Sequence, residues 1–282
     1  IVIIMTIAPF KYIRKLIICL TGLLILFIAL LLDLPDKNFH LYFLDVGQGD
    51  SIFIKTPENH QILIDGGPKN YVLEELNDIM PYFDKSIDLI VLTHPHADHI
   101  EGLLVVLKHF KVDSVLITGM SYQNKSYMEF LRLINKKNIP VFYANSMQDF
   151  IFSDTYFDIL YPFHSIEGEK FSNINNSSIV MKIYYKKFSL LLTGDSEEEV
   201  EEKLINQNLN LSSDMLKLGH HGSRTASTRN FLLMVDPITV IIQCGSDNKF
   251  NHPHLETLKK LFELDFRNIY RTDTNGRIEF TF

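Results

Sequence analysis

The sequence predicts an α/β fold of four layers, two facing mixed β-sheets with helices on their outer sides, preceded by one apolar helix at the N-terminus. Two observations carry the layered part. Strand-like runs bounded by Gly, Asn and Pro alternate with helical patterns over residues 40–282, and hairpin-spaced strands followed by mixed strands and helices occur twice over. A third sets the domain count: no repeat, low-complexity tract or long linker interrupts residues 36–282, so one domain is the simplest account.

The first element lies in residues 1–35. Residues 16–32 carry no charge and reach the lower end of the length needed to span a bilayer. Lys11, Arg14 and Lys15 precede this run, while Asp33 and Asp36 follow it. That asymmetry predicts a cytoplasmic stub, a single membrane-spanning anchor and an extracellular remainder at the cell membrane. No small-x-small cleavage site follows, which favours an anchor over a cleaved signal, and Ile18 ahead of Cys19 does not suit a lipoprotein signal.

Strands are expected over residues 41–46, 51–56, 61–64, 89–93, 114–118, 156–160, 179–185, 189–192, 215–218, 239–243 and 278–282. Helical patterns fit residues 72–80, 100–110, 127–137, 197–206, 228–234 and 254–264. Hydrophobic residues make up 46% of the chain, ample for the core such layers need. The net charge of -7 argues against a surface that grips nucleic acid indiscriminately, leaving only a local patch for a charged polymer. Cys19 and Cys244 are the two cysteines, so neither a disulfide framework nor a thiolate zinc site can be built. Any metal must be held by His and carboxylate.

The strongest signal is Thr93-His94-Pro95-His96-Ala97-Asp98-His99, directly after an apolar strand and before a helix. In an extended loop His94 and His96 point the same way, and the turn into the helix swings Asp98 and His99 toward a second point nearby. Two adjacent ligand sets result.

This H-x-H-x-D-H string after a buried strand resembles the metal motif of metallo-β-lactamase-fold hydrolases, which implies their αββα architecture. Ile64-Asp65-Gly66-Gly67 resembles the upstream motif whose carboxylate supports a metal-binding histidine from behind. Leu192-Thr193-Gly194-Asp195 resembles the element whose Asp bridges both metals. At His220-His221 the resemblance implies that one histidine closes the second metal site; His221 is the expected ligand, with His220 facing substrate as phosphate ligand or proton donor. Where many superfamily members carry a further histidine upstream of the bridging Asp, this chain offers Asn175, Asn176 and Ser177, and His164 reads as a loop residue.

Four further stretches resemble the extracellular hydrolase domain of the ComEC competence family. They are residues 43–51 (FLDVGQGDS), 175–180 (NNSSIV), 220–224 (HHGSR), and Asn251-His252-Pro253-His254 with the terminal RTDTNG at 271–276. The resemblance implies a substrate role for His252 near the active site. Asp45 and Asp50 flank a Gly-Gln-Gly hairpin, which reads either as ordinary Asp-Gly turn chemistry or as the rim of the site. That family carries a long multi-helix permease region, whereas this sequence shows one apolar span, so a separate permease partner is expected.

The implied constellation holds two divalent metal ions, zinc or manganese, with iron also suited to such ligands. Ions about 3.5–4 Å apart share a water, lower its pKa toward ~7 and set it against an ester or phosphodiester. Asp98, His220 and His252 are the residues expected to act with them. Oxygen-reducing diiron relatives resemble H-x-E-x-D at the central motif, which this chain lacks. The ComEC resemblance implies DNA outside the membrane as substrate, with Lys217, Arg224, Arg229 and Lys249 either phosphate contacts near the mouth or solvated surface charges. A cell-envelope phosphodiester is the alternative substrate, and a non-catalytic membrane-anchored partner the alternative class.

Overall fold

Along the first strands, neighbouring side chains go to different cores. In β1 (His40–Phe43) Leu41 and Phe43 enter the core between the sheets, while Tyr42 packs on the outer, helix-covered side. In β2 (Ile52–Lys55) Ile52 and Ile54 point inward and Phe53 outward; in β3 (Gln61–Ile64) Ile62 and Ile64 point inward and Leu63 outward. A strand places successive side chains on opposite faces, so apolar residues on both parities need cover on both faces. This requirement makes the layers.

The computed structural model describes residues 8–32 and 36–282. The chain divides into two compact units, Ile1–Asp36 and Lys37–Phe282. The first contains helix α1 (Ala8–Leu32), whose described side chains, from Phe10 to Ile28, are exposed. The expectation of a spanning anchor is not supported: a helix forms, but among the described residues no helix is long and apolar enough to cross a membrane. Lys11, Arg14 and Lys15 fall inside α1 instead of ahead of it and shorten its uncharged stretch. Asp33 lies outside the described residues.

In the second unit the next elements are α2 (Tyr71–Ile79), β4 (Ser86–Val91), α3 (Ala97–His109), β5 (Lys111–Ile117), α4 (Lys125–Lys136) and β6 (Val141–Tyr143). Then come β7 (Phe150–Phe152), β8 (Thr155–Tyr161), β9 (Val180–Tyr185), β10 (Phe188–Leu192), α5 (Glu198–Asn206) and β11 (Met215–Lys217). The chain continues through α6 (Arg229–Val235), β12 (Thr239–Ile242), α7 (Leu255–Glu263), β13 (Asn268–Arg271), the short α8 (Thr272–Asn275) and β14 (Ile278–Thr281). Among the described residues these strands form two seven-stranded mixed sheets, ordered β14-β1-β2-β3-β4-β5-β6 and β13-β12-β11-β10-β9-β8-β7.

The inward faces of both sheets meet in one core, where Phe43, Ile64 and Val91 join Ile159, Met181 and Leu192. Helices α2, α3 and α4 cover the outer face of the first sheet, and α5, α6 and α7 that of the second. In α3 Ile100, Leu103, Val106 and Leu107 form the buried stripe, each contributing about 1.5–3 kcal/mol by its burial. The four-layer expectation stands. Strands β6, β7 and β13 escaped the sequence reading because they are short sheet edges with half-exposed side chains, and so offer no buried apolar run.

Parallel pairing of β3 with β4, and of β10 with β11 and β11 with β12, gathers the carboxyl ends of these strands at one edge of the sandwich. Asp65, His94, Asp195, His221 and Gln243 all lie just past those ends.

Candidate metal centre

The loop after β4 is built around Asp65, which adopts a left-handed backbone (φ 58°). Its Oδ1 accepts from the Thr93 N–H at 2.8 Å, and its Oδ2 accepts from the Thr93 hydroxyl at 2.6 Å and lies 2.8 Å from His99 Nδ1. With Nδ1 of His99 engaged there, Nε2 is the ring atom that faces the centre. The Thr93 hydroxyl has given its proton to Asp65, so its oxygen is left to accept from His94 Nδ1 at 3.2 Å. That frees Nε2 of His94, which lies 3.1 Å from His96 Nδ1.

Helix α3 begins at Ala97, three residues before the expected start, so Asp98 and His99 belong to its first turn. The helix sits directly on the Asp65 turn. The His99 carbonyl accepts from the Gly66 N–H at 2.8 Å, and a Cβ on Gly102 would stand 1.9 Å from the Gly66 carbonyl oxygen.

Asp195, in the turn after β10, supplies the atom on which the histidines converge. Its Oδ2 lies 3.3 Å from His99 Nε2, 3.4 Å from His221 Nε2, 3.8 Å from His94 Nε2 and 3.9 Å from His220 Nε2. Asp98 Oδ2 is 3.4 Å from His221 Nε2. One ligand atom each of Asp98, His99, Asp195 and His221 lie within 4.8 Å of one another. His94 and His96 stand beside this group of four, outside it but adjacent through His94.

The residues fit a cation. His99 Nε2, His221 Nε2 and Asp195 Oδ1 are buried without a hydrogen-bond partner. Each such atom costs about 1–3 kcal/mol when uncovered, and a divalent ion satisfies all three. Burial alone would raise Asp195, but the facing charges of His221 and His99 hold its carboxyl well below the usual range. Burial alone would lower His99, yet Asp195 and Asp65 raise it well above an ordinary histidine, and Asp195 and Asp50 do the same for His221. For His94 burial wins, with His99 adding to it, and the ring is held neutral.

The two histidines of the pair sit in different surroundings. His220 and His221 both adopt left-handed backbone (φ 49° and 54°), which turns the rings apart. His221 is buried, with Nδ1 2.9 Å from the Gln243 carbonyl and 3.1 Å from Asp50 Oδ1. The carbonyl has hydrogen-bond geometry; the carboxylate acts as a charge beside the ring. His220 is 22% exposed, its Nδ1 3.1 Å from Glu197 Oε1. His252 is nearly buried, its ring 5.3 Å from that of His220, and burial first, then His221 and His220, push it down to about 4.

Other expectations change. Lys217 is fully buried and donates to Asp50 Oδ2 and, at 3.3 Å, to the Gly194 carbonyl, so it is no phosphate contact. Asp50 is not a rim residue but the buried partner of Lys217 and His221. Asp45 is exposed and accepts from the Gly47 N–H, at 3.3 Å. Arg224 and Arg229 reach Glu256 (3.7 Å) and Glu263 (3.1 Å) on the surface, and His254 accepts from the Arg224 N–H at 3.0 Å. His164 is 75% exposed and faces Glu169 at 3.9 Å. Sequence reasoning missed Glu197, which also accepts from Asn175 Nδ2 at 2.9 Å; its place two residues past Asp195 was the available signal.

An αββα sandwich with these ligands past its parallel strands defines a metallo-β-lactamase-type protein, and the chain belongs to that superfamily, which it matches over residues 44–245. Its relatives are ComEC-related competence proteins. It is 30% identical over 282 residues to ComE operon protein 3 of Bacillus subtilis, covering 94% of this chain and 35% of that protein. It is 26% identical over 271 residues to Recombination protein 2 of Haemophilus influenzae, covering 94% of this chain and 32% of that protein. The chain thus spans about a third of the length of these relatives. Among solved structures, the metallo-beta-lactamase fold protein YhfI from Bacillus subtilis superposes with a TM-score of 0.57 at 12% identity, over 87% of this chain and 100% of that one. That likeness concerns the fold alone.

Proposed function

We propose that the domain is a binuclear metal-dependent phosphodiesterase, a nuclease acting on DNA outside the membrane. The observation that carries it is the convergence of three buried, unpartnered atoms, on His99, His221 and Asp195, beside the His94–His96 pair. In this reading Asp98, His99, Asp195 and His221 would hold one ion, and His94 and His96, together with Asp195, the other. Zinc or manganese, when bound, neutralises charge on the phosphodiester and activates water.

The chain's own residues do the rest. Glu197 orients the His220 ring through Nδ1, and the ring in its protonated form gives its Nε2 proton to the leaving oxygen. His252 holds a non-bridging oxygen or the sugar of the substrate. Asp65 fixes His99, and the Gln243 carbonyl with Asp50 fixes His221, so neither ring must reorganise during turnover. Helix α1, apolar and exposed, attaches the domain to the cell membrane with the catalytic part outside, and a permease carries the DNA across; the relationship to ComEC-related competence proteins and the Lys/Asp asymmetry around residues 16–32 support this.

The test is cleavage of single-stranded DNA, duplex DNA and bis-p-nitrophenyl phosphate by the full chain, in manganese and then zinc, with metal content measured alongside. Chelator-sensitive cleavage is expected. A protein that retains ions but cuts none of the three acts on another polymer, such as a cell-envelope diester. One that retains no ion is a non-catalytic member of the fold.

A further inference from the structure

Beyond Asp98 the surface opens into a cleft of about 650 Å³ whose lining includes Lys69, Tyr71, Lys249 and Phe250. Two large aromatic rings stand exposed there, Tyr71 at 38% and Phe250 at 46%, although their apolar area favours burial. Each carries a lysine over or beside its ring: Lys69 Nζ is 5.4 Å from the Tyr71 centroid and Lys249 Nζ 4.9 Å from that of Phe250. Phe250 also stacks on His252 (5.7 Å between centroids, 21° between planes), so one aromatic wall continues from the histidines of the metal centre outward.

Carboxylates in the cleft decide which part of a ligand enters it. Asp273 is engaged by Arg271 at 2.9 and 2.5 Å, whereas Asp45 is exposed. An anion pressed against Asp45 would be repelled, but a neutral heteroaromatic ring with amino hydrogens would be accepted. The lysines on the walls are left for phosphates on either side. Aromatic faces for stacking, interleaved with lysines that follow a backbone, are the features that bind an unstacked strand. A duplex hides its base faces and cannot place one between such walls without fraying.

We infer that this cleft is a nucleobase subsite, holding a base of single-stranded nucleic acid next to the phosphate at the metal centre. The inference rests on reading that centre as a phosphodiesterase. Tyr71 and Phe250 stack on the base, and Lys69 and Lys249 contact flanking phosphates.

The experiment measures binding of two fluorescent strands of equal length, oligo(dT) and its fully abasic counterpart, to the full chain by anisotropy in chelator, so that no bond is cut. The parent is expected to prefer oligo(dT). Phe250→Ala and Tyr71→Ala should each reduce that preference about 10-fold, within the range of one lost base stack, and Phe250→Trp should retain it. Lys69→Ala and Lys249→Ala should weaken both strands alike and flatten the salt dependence. Equal affinity of the parent for both strands, or an unchanged preference in both aromatic variants, overturns the subsite. Failure of the parent to cleave any diester with metal, with the preference intact, refutes the catalytic reading and leaves the subsite standing.

Discussion

Lys217→Met separates two roles for a residue that the sequence assigns to phosphate binding and the fold buries. Its side chain is 1% exposed and that of its partner Asp50 3% exposed. Removing the ammonium takes from a buried carboxylate its principal counter-charge, leaving only the His221 ring beside it, which costs roughly 3–5 kcal/mol. A domain of this size loses about 2–4 °C in melting temperature per kcal/mol, so a drop of roughly 6–20 °C is expected. Asp50→Asn added to Lys217→Met removes the orphaned charge and should recover more than half of the loss, with Gln243 still holding His221. Thermal melts of the three full-length proteins by circular dichroism, at fixed metal, measure this. A melting temperature within about 2 °C of the parent, together with weaker DNA binding, would refute the buried pair and restore the phosphate contact.

Other outcomes follow from the same geometry. His221→Ala should lose bound metal, whereas His220→Ala should retain it and turn over more slowly; elemental analysis beside an activity assay distinguishes the two. Asp195→Asn should lower diester cleavage on the order of 100-fold or more, and parent-like rates would assign the activity to a contaminant. Burial raises the Glu201 carboxyl despite N–H donation from Ser227 and Thr228, so its contribution to stability declines as pH rises from the ordinary carboxylate value to its folded one. Urea midpoints across that window should fall less steeply with pH in Glu201→Gln than in the parent. Protease added to intact cells should remove the domain if it faces outward, and its complete protection would reverse the orientation.

Much of the site was legible because its residues lie close together in the chain. His94, His96, Asp98 and His99 occupy one strand-to-helix junction, where local backbone geometry alone sets two directions. Asp65, Asp195 and His221 each end a parallel strand, and the apolar runs that mark those strands could be read directly. Alternating parity likewise dictated two covered faces per sheet, and with them the four layers.

Contacts between distant segments were decided by the tertiary structure. Asp50 and Lys217 read as a turn residue and a surface cation, since nothing near either one shows that packing the two sheets buries them together, 167 positions apart. The left-handed backbone at His220 and His221 buries one ring against Asp195 and leaves the other partly exposed beside it, a choice set by the Gln243 carbonyl past β12 and by Glu197 after β10. Tyr71 and Phe250 meet at one cleft only because the loops before α2 and after β12 close over the same edge. Propensity and periodicity act within a few residues and so set elements and ligand order; burial and charge pairing act through space, so they set protonation, tautomer and the shape of what can bind.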